Sequence, residues 1–137
     1  MPSRFVSFSY QHPPQLAAKD RLRALVIDVR SWGNPHKIPY LRPLTGLDQR
    51  VGEAIKSLTS DYDRKFMELC SKVANHPGAV YLGCAGGRHR SVYLAEQLGH
   101  VFGVPTTHLG IPTFLQEDPQ MKTHLDHVHK LEEIDYE

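Results

Sequence analysis

The chain has 137 residues, of which 40% are hydrophobic and 23% charged, and its formal net charge is +1. This length fits one domain, which we expect to span residues 1–137, and no apolar run is long enough to cross a membrane. A charge so close to neutrality is not typical of a dedicated nucleic-acid-binding protein. With no apolar leader at residue 1 and only two cysteines, Cys70 and Cys84, the composition predicts a cytoplasmic protein with reduced thiols.

The charges are unevenly distributed along the chain. Residues 1–65 hold 11 Lys and Arg against 6 Asp and Glu, whereas residues 113–137 hold 2 against 7. A basic face in the N-terminal half is one interpretation, and a solvated surface balanced by an acidic tail is the favoured one. An acidic tail repels a phosphate backbone, so RNA binding through residues 113–137 is disfavoured.

The first half of the chain alternates strand patterns with loops. Residues 5–10 alternate apolar and small polar side chains and predict a strand. Residues 23–30 form a nearly continuous apolar run, which is typical of a strand covered on both faces, with Asp28 and Arg30 near its carboxyl end. Residues 31–47 contain three prolines and two glycines, and so long a loop is more often functional than a simple connection.

The second half completes the alternation of helices with strands. Helical spacing of apolar residues is found over about 48–58 and 61–75, and a strand leading to Cys84 is followed by a helix from about His89. A short last strand within 106–111 and a polar helix over about 118–133 end the chain. The pattern predicts an α/β fold with a mainly parallel sheet, flanking helices and a phosphate-binding loop between a central strand and a helix.

The loop that joins this strand to its helix has the composition of an anion site. Gly86 and Gly87 allow backbone N–H groups to converge, and the helix N-terminus adds unpaired N–H groups. Arg88, His89 and Arg90 supply further donors and positive charge. Because positive charge at a helix N-terminus costs about 0.3–1 kcal/mol per group, a bound anion would remove a conflict that a simple tight turn does not explain.

The stretch from Cys84 to Ser91 also fits the C-x-x-G-x-x-R-S pattern of the protein tyrosine phosphatase loop. In that chemistry a cysteine thiolate attacks phosphorus and an arginine holds two phosphate oxygens, which are the positions of Cys84 and Arg90. Asp28 is the carboxylate placed at the same sheet edge as a proton donor. Gly83 stands where the phosphatase family usually has His. Catalysis is therefore an alternative hypothesis, in which the roles belong to Cys84, Arg90 and Asp28.

A second resemblance covers most of residues 5–100. Residues 7–12, 28–30, 34–36, 41–48 and 83–96 look, in that order and at matching spacing, like the C-terminal domain of the RNase adapter protein RapZ. The resemblance implies binding of glucosamine 6-phosphate and, in some bacteria, of small regulatory RNAs, without enzymatic activity. It also implies self-association of the domain into a homo-oligomer.

The resemblance points to His36, Gly86 and Arg90 as ligand contacts, and these coincide with the predicted anion site. Ala85 stands where the family usually has Thr, so one hydroxyl that contacts the ligand is missing. The full predicted ligand-binding set is Asp28, Arg30, Asn34, His36, Cys84, Ala85, Gly86, Gly87, Arg88, His89, Arg90 and Ser91.

No cofactor and no metal are expected. The sequence has no G-x-x-x-x-G-K-[ST] motif and lacks the nucleotide-binding domain that accompanies the family, so no ATP or GTP activity is implied. The histidines within 124–129 are interpreted as a solvated helix face. The acidic segment 113–137 departs from the family, and it is either an oligomer contact or a cover for the pocket. The leading hypothesis is a regulatory or sequestering module for a phosphorylated small molecule, and an RNA-binding adapter is the third alternative.

Overall fold

The computed structural model describes residues 1–112. Four strands, β1 to β4, and four helices, α1 to α4, make up this part of the chain. The strands are β1 (Arg4–Ser9), β2 (Leu25–Asp28), β3 (Ala79–Cys84) and β4 (Thr106–His108). The helices are α1 (Ala18–Arg23), α2 (Gln49–Leu58), α3 (Tyr62–Val73) and α4 (Arg90–Phe102), with two short 3-10 turns at Pro35–Lys37 and Pro39–Leu41.

The sheet is parallel throughout and has the order β2-β3-β1-β4. The α/β prediction is therefore confirmed, and the glycine loop follows β3, one of the two central strands. The register sets Ser9 beside Cys84 and Asp28 beside Gly83. The carboxyl ends of β1, β2 and β3 consequently meet at one edge, the place where ligands bind in open parallel sheets.

Strand β2 corrects one expectation. The apolar run over 23–30 predicted a strand covered on both faces, but β2 lies at the edge of the sheet and Val26 is 51% exposed. The preceding helix α1 has no buried residue and does not cover it. A continuous apolar run cannot distinguish a covered strand from an edge strand, because both contain β-branched residues.

One hydrophobic core joins the sheet to helices α2, α3 and α4. Val80 and Leu82 of β3 pack in it with Ile55 of α2, Val73 of α3 and Leu98 of α4, all of them fully buried. Burying one such side chain contributes about 1.5–3 kcal/mol. Two of the elements that carry the site, β3 and α4, are thus anchored in this core.

The helix ends differ in how they are capped. Asp48 caps α2, since its carboxylate accepts a hydrogen bond from the Arg50 backbone N–H at 2.9 Å. Helix α4 ends at Gly103, which has a positive φ of 66°. At its start His89 makes no side-chain capping hydrogen bond. The N-cap side chain therefore satisfies none of the first N–H groups of α4, and among them the Ser91 N–H donates to the Cys84 Sγ at 3.4 Å.

The predicted helix over 118–133 lies outside the described residues. Within residues 1–112, no helix is both long and apolar enough to cross a bilayer.

Candidate functional site

The glycine loop between β3 and α4 is fixed against strand β1. Gly87 has φ = 68°, and a Cβ atom there would lie 2.7 Å from the Ser9 backbone nitrogen. The Ser9 hydroxyl donates a hydrogen bond to the Ala85 carbonyl at 2.8 Å. On the other side Gly110 packs directly against the Gly87 backbone. The loop conformation is set by these contacts, and residue 87 has no room for a side chain.

Arg90 is the first residue of α4 and is only 7% exposed. Its Nη1 donates to the carbonyl oxygens of Arg30, at 2.5 Å, and Trp32, at 3.4 Å. Among residues 1–112 no salt bridge compensates its charge. A buried guanidinium held only by carbonyl groups retains most of its desolvation cost. A ligand anion would offset that cost.

Cys84 and Ser91 form a buried pair beneath the loop. The Cys84 Sγ lies 3.1 Å from the Ser91 Oγ and 3.4 Å from the Ser91 backbone nitrogen. Ser91 is fully buried and does not line the cavity, so its hydroxyl holds the thiol rather than facing a ligand.

Gly83 has a steric reason for not being histidine. A Cβ atom at this position would lie 2.5 Å from the Phe8 ring and 2.6 Å from the Tyr10 ring. No side chain fits there without displacing two aromatic residues. The packing of β3 against these two rings therefore requires glycine at position 83, where the phosphatase pattern usually has histidine.

His89 does not carry the charge predicted for it at neutral pH. Burial lowers its pKa to about 4, and the nearby charge of Arg88 contributes in the same direction. Its Nε2 lies 2.6 Å from the Leu44 carbonyl, so the neutral ring donates one hydrogen bond to the proline-rich loop. His89 thus supplies structure to the site, and the positive charge comes from the arginines.

A cavity of about 330 Å³ opens above the glycine loop. None of the described residues that line it is acidic. Its walls are formed by Gln11, Asn34, His36, Arg42, Cys84, Ala85, Gly86, Arg88, His89 and Arg90. The structure thereby brings together two segments, around 34–42 and 84–90, that the sequence analysis assigned to one ligand.

Gln11 and Arg42 line the cavity but were absent from the predicted set. Gln11 follows β1 at the carboxyl edge of the sheet, so the rule that ligands bind at this edge, applied to β1, would have identified it. Arg42 stands in the proline-rich loop. Arg42 lies in the stretch 41–48 that carries the family resemblance, but nothing in that stretch marks it as a ligand contact. Its Nε donates to the His36 carbonyl at 2.7 Å, which fixes it beside the cavity.

The proline-rich loop is attached to the glycine loop by hydrogen bonds. Arg88 donates through Nη2 to the Pro43 carbonyl at 3.0 Å, and the Gly46 N–H donates to the Arg88 carbonyl at 2.7 Å. Within the loop Asn34 Oδ1 accepts from the His36 N–H at 3.1 Å. The His36 and His89 rings are 6.4 Å apart. These contacts hold the two walls of the cavity together.

Asp28 and Arg30 do not line this cavity. They form an exposed pair in which Arg30 Nη2 lies 2.7 Å from Asp28 Oδ2, with side chains 51% and 47% exposed for Arg30 and Asp28 respectively. The hydrogen bonds from Arg30 hold the pKa of Asp28 below its usual value. A general acid needs a raised pKa, so this shift is in the wrong direction for the proton donor of a phosphatase.

Among the described residues, no group of three or more side chains is arranged to bind a metal ion. The histidines at 124, 127 and 129 lie outside the described residues.

Fold and site together define a parallel α/β domain with a basic cavity at the carboxyl edge of its sheet, closed by a glycine loop that leads into a helix. Residues 1–109 match the family described as the RapZ C-terminal domain, and the chain belongs to this family. The resemblance stated from the sequence is confirmed.

Curated relatives match the same part of the chain. The RNase adapter protein RapZ of Escherichia coli is 39% identical over 107 residues, which cover 72% of this chain and 36% of the relative. RapZ of Sodalis glossinidius matches at the same identity and coverage. A nucleotide-binding protein of Pasteurella multocida is 38% identical over 107 residues, or 35% of its length. The chain thus spans about a third of the length of these relatives.

Proposed function

We propose that this domain binds a phosphorylated small metabolite, in a regulatory or sequestering role, with the phosphate at the start of α4. The observation that carries the proposal is the buried guanidinium of Arg90, which is uncompensated by any carboxylate in the described walls of the cavity. Phosphate oxygens accept two parallel hydrogen bonds from a guanidinium, and this contact offsets the cost of burying the charge.

The backbone around Arg90 supports the same ligand. The N-cap residue His89 makes no side-chain hydrogen bond to the first N–H groups of α4, and the helix dipole favours an anion at this end. A Cβ atom on Gly86 would meet nothing within 4 Å, so the loop presents open backbone toward the cavity. Neither feature requires a catalytic group, which is why binding rather than turnover is the leading function.

The other residues that line the cavity favour a ligand in which a small polar group, such as a sugar, is attached to the phosphate. A cavity of about 330 Å³ lies at the lower end of the range found for small-molecule sites. Gln11 and Asn34 provide amide groups, and His36 and Arg42 provide further hydrogen-bond donors. Membership in the family supports an amino-sugar phosphate such as glucosamine 6-phosphate, whose ammonium group would find the amide oxygen of Gln11 as an acceptor.

The experiment is a calorimetric titration of glucosamine 6-phosphate into the full chain and into Arg90→Ala. Removing a buried charge-assisted contact costs about 1.5–3 kcal/mol, so we expect affinity to fall by roughly 10- to 150-fold. Arg64→Ala removes the same charge from an exposed ion pair on α3 and serves as the control, with affinity unchanged. Equal affinity of the wild type and Arg90→Ala would contradict the site.

A cysteine-dependent phosphatase is the second candidate. Its supporting observation is Cys84, which lines the cavity and whose Sγ accepts from the Ser91 backbone N–H at 3.4 Å, a donor able to stabilise a thiolate. Phosphorus NMR of glucosamine 6-phosphate with stoichiometric protein distinguishes the two functions in one tube. Growth of inorganic phosphate that disappears in Cys84→Ser would favour the enzyme, whereas a shifted ester resonance without inorganic phosphate supports binding.

Partners larger than a metabolite are suggested by the relatives named RNase adapter proteins. RNA binding by this chain would weaken steeply with salt, because phosphate contacts release counterions. We expect weak RNA binding, given the charge of residues 113–137, and self-association into a homo-oligomer. A gel-shift series in salt and equilibrium sedimentation test these two expectations, and a monomer at working concentration would contradict the second.

A further inference from the structure

A second cavity, of about 510 Å³, opens beside the first. It lies between the segment that follows β2 and the turn that joins α2 to α3. Asn34 and Arg90 line both cavities, so the two adjoin at these side chains. The described walls also contain Lys37, Lys65 and Ser60.

This second cavity carries excess positive charge. None of its described lining residues is acidic. Of the two arginines that line it, Arg30 is already paired with Asp28, and Arg90 is shared with the first cavity. Lys37 and Lys65 form no salt bridge within residues 1–112. The Lys65 ammonium lies 5.1 Å above the Trp32 ring and 3.5 Å from the Ser31 carbonyl oxygen. These contacts orient the ammonium but do not neutralise its charge.

The walls of the second cavity are formed before any ligand arrives. The Gly33 N–H donates to Thr59 Oγ1 at 2.9 Å, and that hydroxyl donates to the Ile55 carbonyl at 2.5 Å. A Cβ atom on Gly33 would lie 2.5 Å from the Leu58 Cβ, so the segment is pressed against the end of α2. A site whose walls are held in this way loses little entropy on binding.

We infer that the second cavity is an additional anion subsite, and that the domain prefers small ligands with two anionic groups, such as sugar bisphosphates. One phosphate occupies the glycine loop and Arg90, and the second lies toward Lys37 and Lys65. The inference rests on the proposed function for the first phosphate. The two lysines act as specificity-determining residues, because a monophosphate fills the first subsite without reaching them.

The test compares glucosamine 6-phosphate with glucosamine 1,6-bisphosphate, which differ only in the second phosphate. We expect the bisphosphate to bind the full chain about tenfold more tightly, as two partly exposed charge contacts would provide. In phosphorus NMR both of its resonances should shift. In a Lys37→Met and Lys65→Met double variant, which keeps the alkyl stems, the bisphosphate should bind no more tightly than the monophosphate, and affinity for the monophosphate should be unchanged.

The control is Lys72→Met, which removes one charge from the exposed end of α3 away from both cavities. It should leave the affinity for both ligands as in the wild type. If the monophosphate binds but the bisphosphate binds no more tightly, the second subsite is wrong while the proposed function stands. If neither ligand binds, both are overturned. A bisphosphate preference that survives the double variant would also overturn the role of the lysines.

Discussion

Strand β1 lies between two groups of hydrogen-bonded polar side chains, each built around a buried ring or guanidinium, that differ in one respect. On the β4 side the Ser7 hydroxyl lies 2.7 Å from His108 Nδ1, and His108 Nε2 lies 2.8 Å from a Glu96 carboxylate oxygen. Thr106 donates to the same oxygen at 2.5 Å. In this β4 group the imidazole has a partner at each nitrogen, and the carboxylate accepts from two donors.

The group at the start of α4 is different. The Arg90 guanidinium donates to two carbonyl oxygens and forms no salt bridge within residues 1–112, and the Asp28 carboxylate that feels its charge is paired with Arg30. His89 and Cys84 beside it have partners inside the protein. Buried polar side chains alone therefore do not identify a site, since both groups contain them. The property that distinguishes the group at the start of α4 is the buried Arg90 charge, which forms no salt bridge within residues 1–112 and can therefore be paired with a bound anion.

The largest expected effect is the difference in stability between a variant of His108 and a variant of Arg90. His108→Ala removes the centre of the β4 group and leaves Ser7 and Glu96 without it, so the free energy of unfolding should fall by about 4 kcal/mol. Arg90→Ala relieves a buried, unpaired charge, which offsets the two lost hydrogen bonds to the Arg30 and Trp32 carbonyls, so the free energy of unfolding should change by no more than about 1 kcal/mol. Urea denaturation of both variants measures the difference. Equal losses would mean that Arg90 is structural in the same sense as His108.

The second prediction concerns pH and tests whether His89 is neutral in the folded chain. With a folded pKa of about 4 against an ordinary 6.5, the unfolded chain binds the proton more readily between these values. Stability from this group is therefore complete above pH 6.5 and is lost as the pH falls to about 4, by about 3 kcal/mol in total.

The measurement for His89 is the free energy of unfolding of the wild type minus that of His89→Gln, taken from pH 7 to pH 4. Glutamine can still donate to the Leu44 carbonyl but does not titrate, so the carboxylates common to both proteins cancel. We expect the difference to change with pH in favour of the wild type at neutral pH. A difference that is flat with pH would show that His89 titrates normally.

Much of the fold was predictable because its signals are local. The alternation of helices and strands, and the two glycines after Cys84, were sufficient for a parallel sheet with a loop leading into α4. The exposure of Val26 was not predictable, because which strand lies at the edge of the sheet is decided by the pairing of distant segments. His89 was assigned a charge for the same reason, since its burial depends on Leu44, which is far away in sequence.

The site residues that are consecutive in sequence were predicted, whereas some of those contributed by other segments were missed. Six of the seven residues from 84 to 90 line the cavity because they are consecutive around one turn, whereas Gly87 does not line it. Arg42 was missed although it is only six residues from His36, because an arginine in a proline-rich loop gives no local sign that it lines a cavity. Asp28 and Arg30 stand at the predicted sheet edge, yet their mutual ion pair keeps both outside the first cavity. The sheet topology determines which residues lie at the carboxyl edge, but the direction of each side chain depends on its hydrogen-bond and ion-pair partners.

The smallest expected effect concerns the glycine loop, in which Gly86 and Gly87 are expected to have different roles. Gly87→Ala puts a Cβ at φ = 68° and 2.7 Å from the Ser9 nitrogen, so the free energy of unfolding should fall by about 1–3 kcal/mol. Gly86→Ala meets no atom within 4 Å and should leave stability unchanged while weakening phosphosugar binding, because its methyl group stands between the ligand and the backbone. Denaturation and calorimetry on the pair separate the two roles. If Gly86→Ala bound as tightly as the wild type, the ligand would lie against α4 and the arginines rather than on the loop.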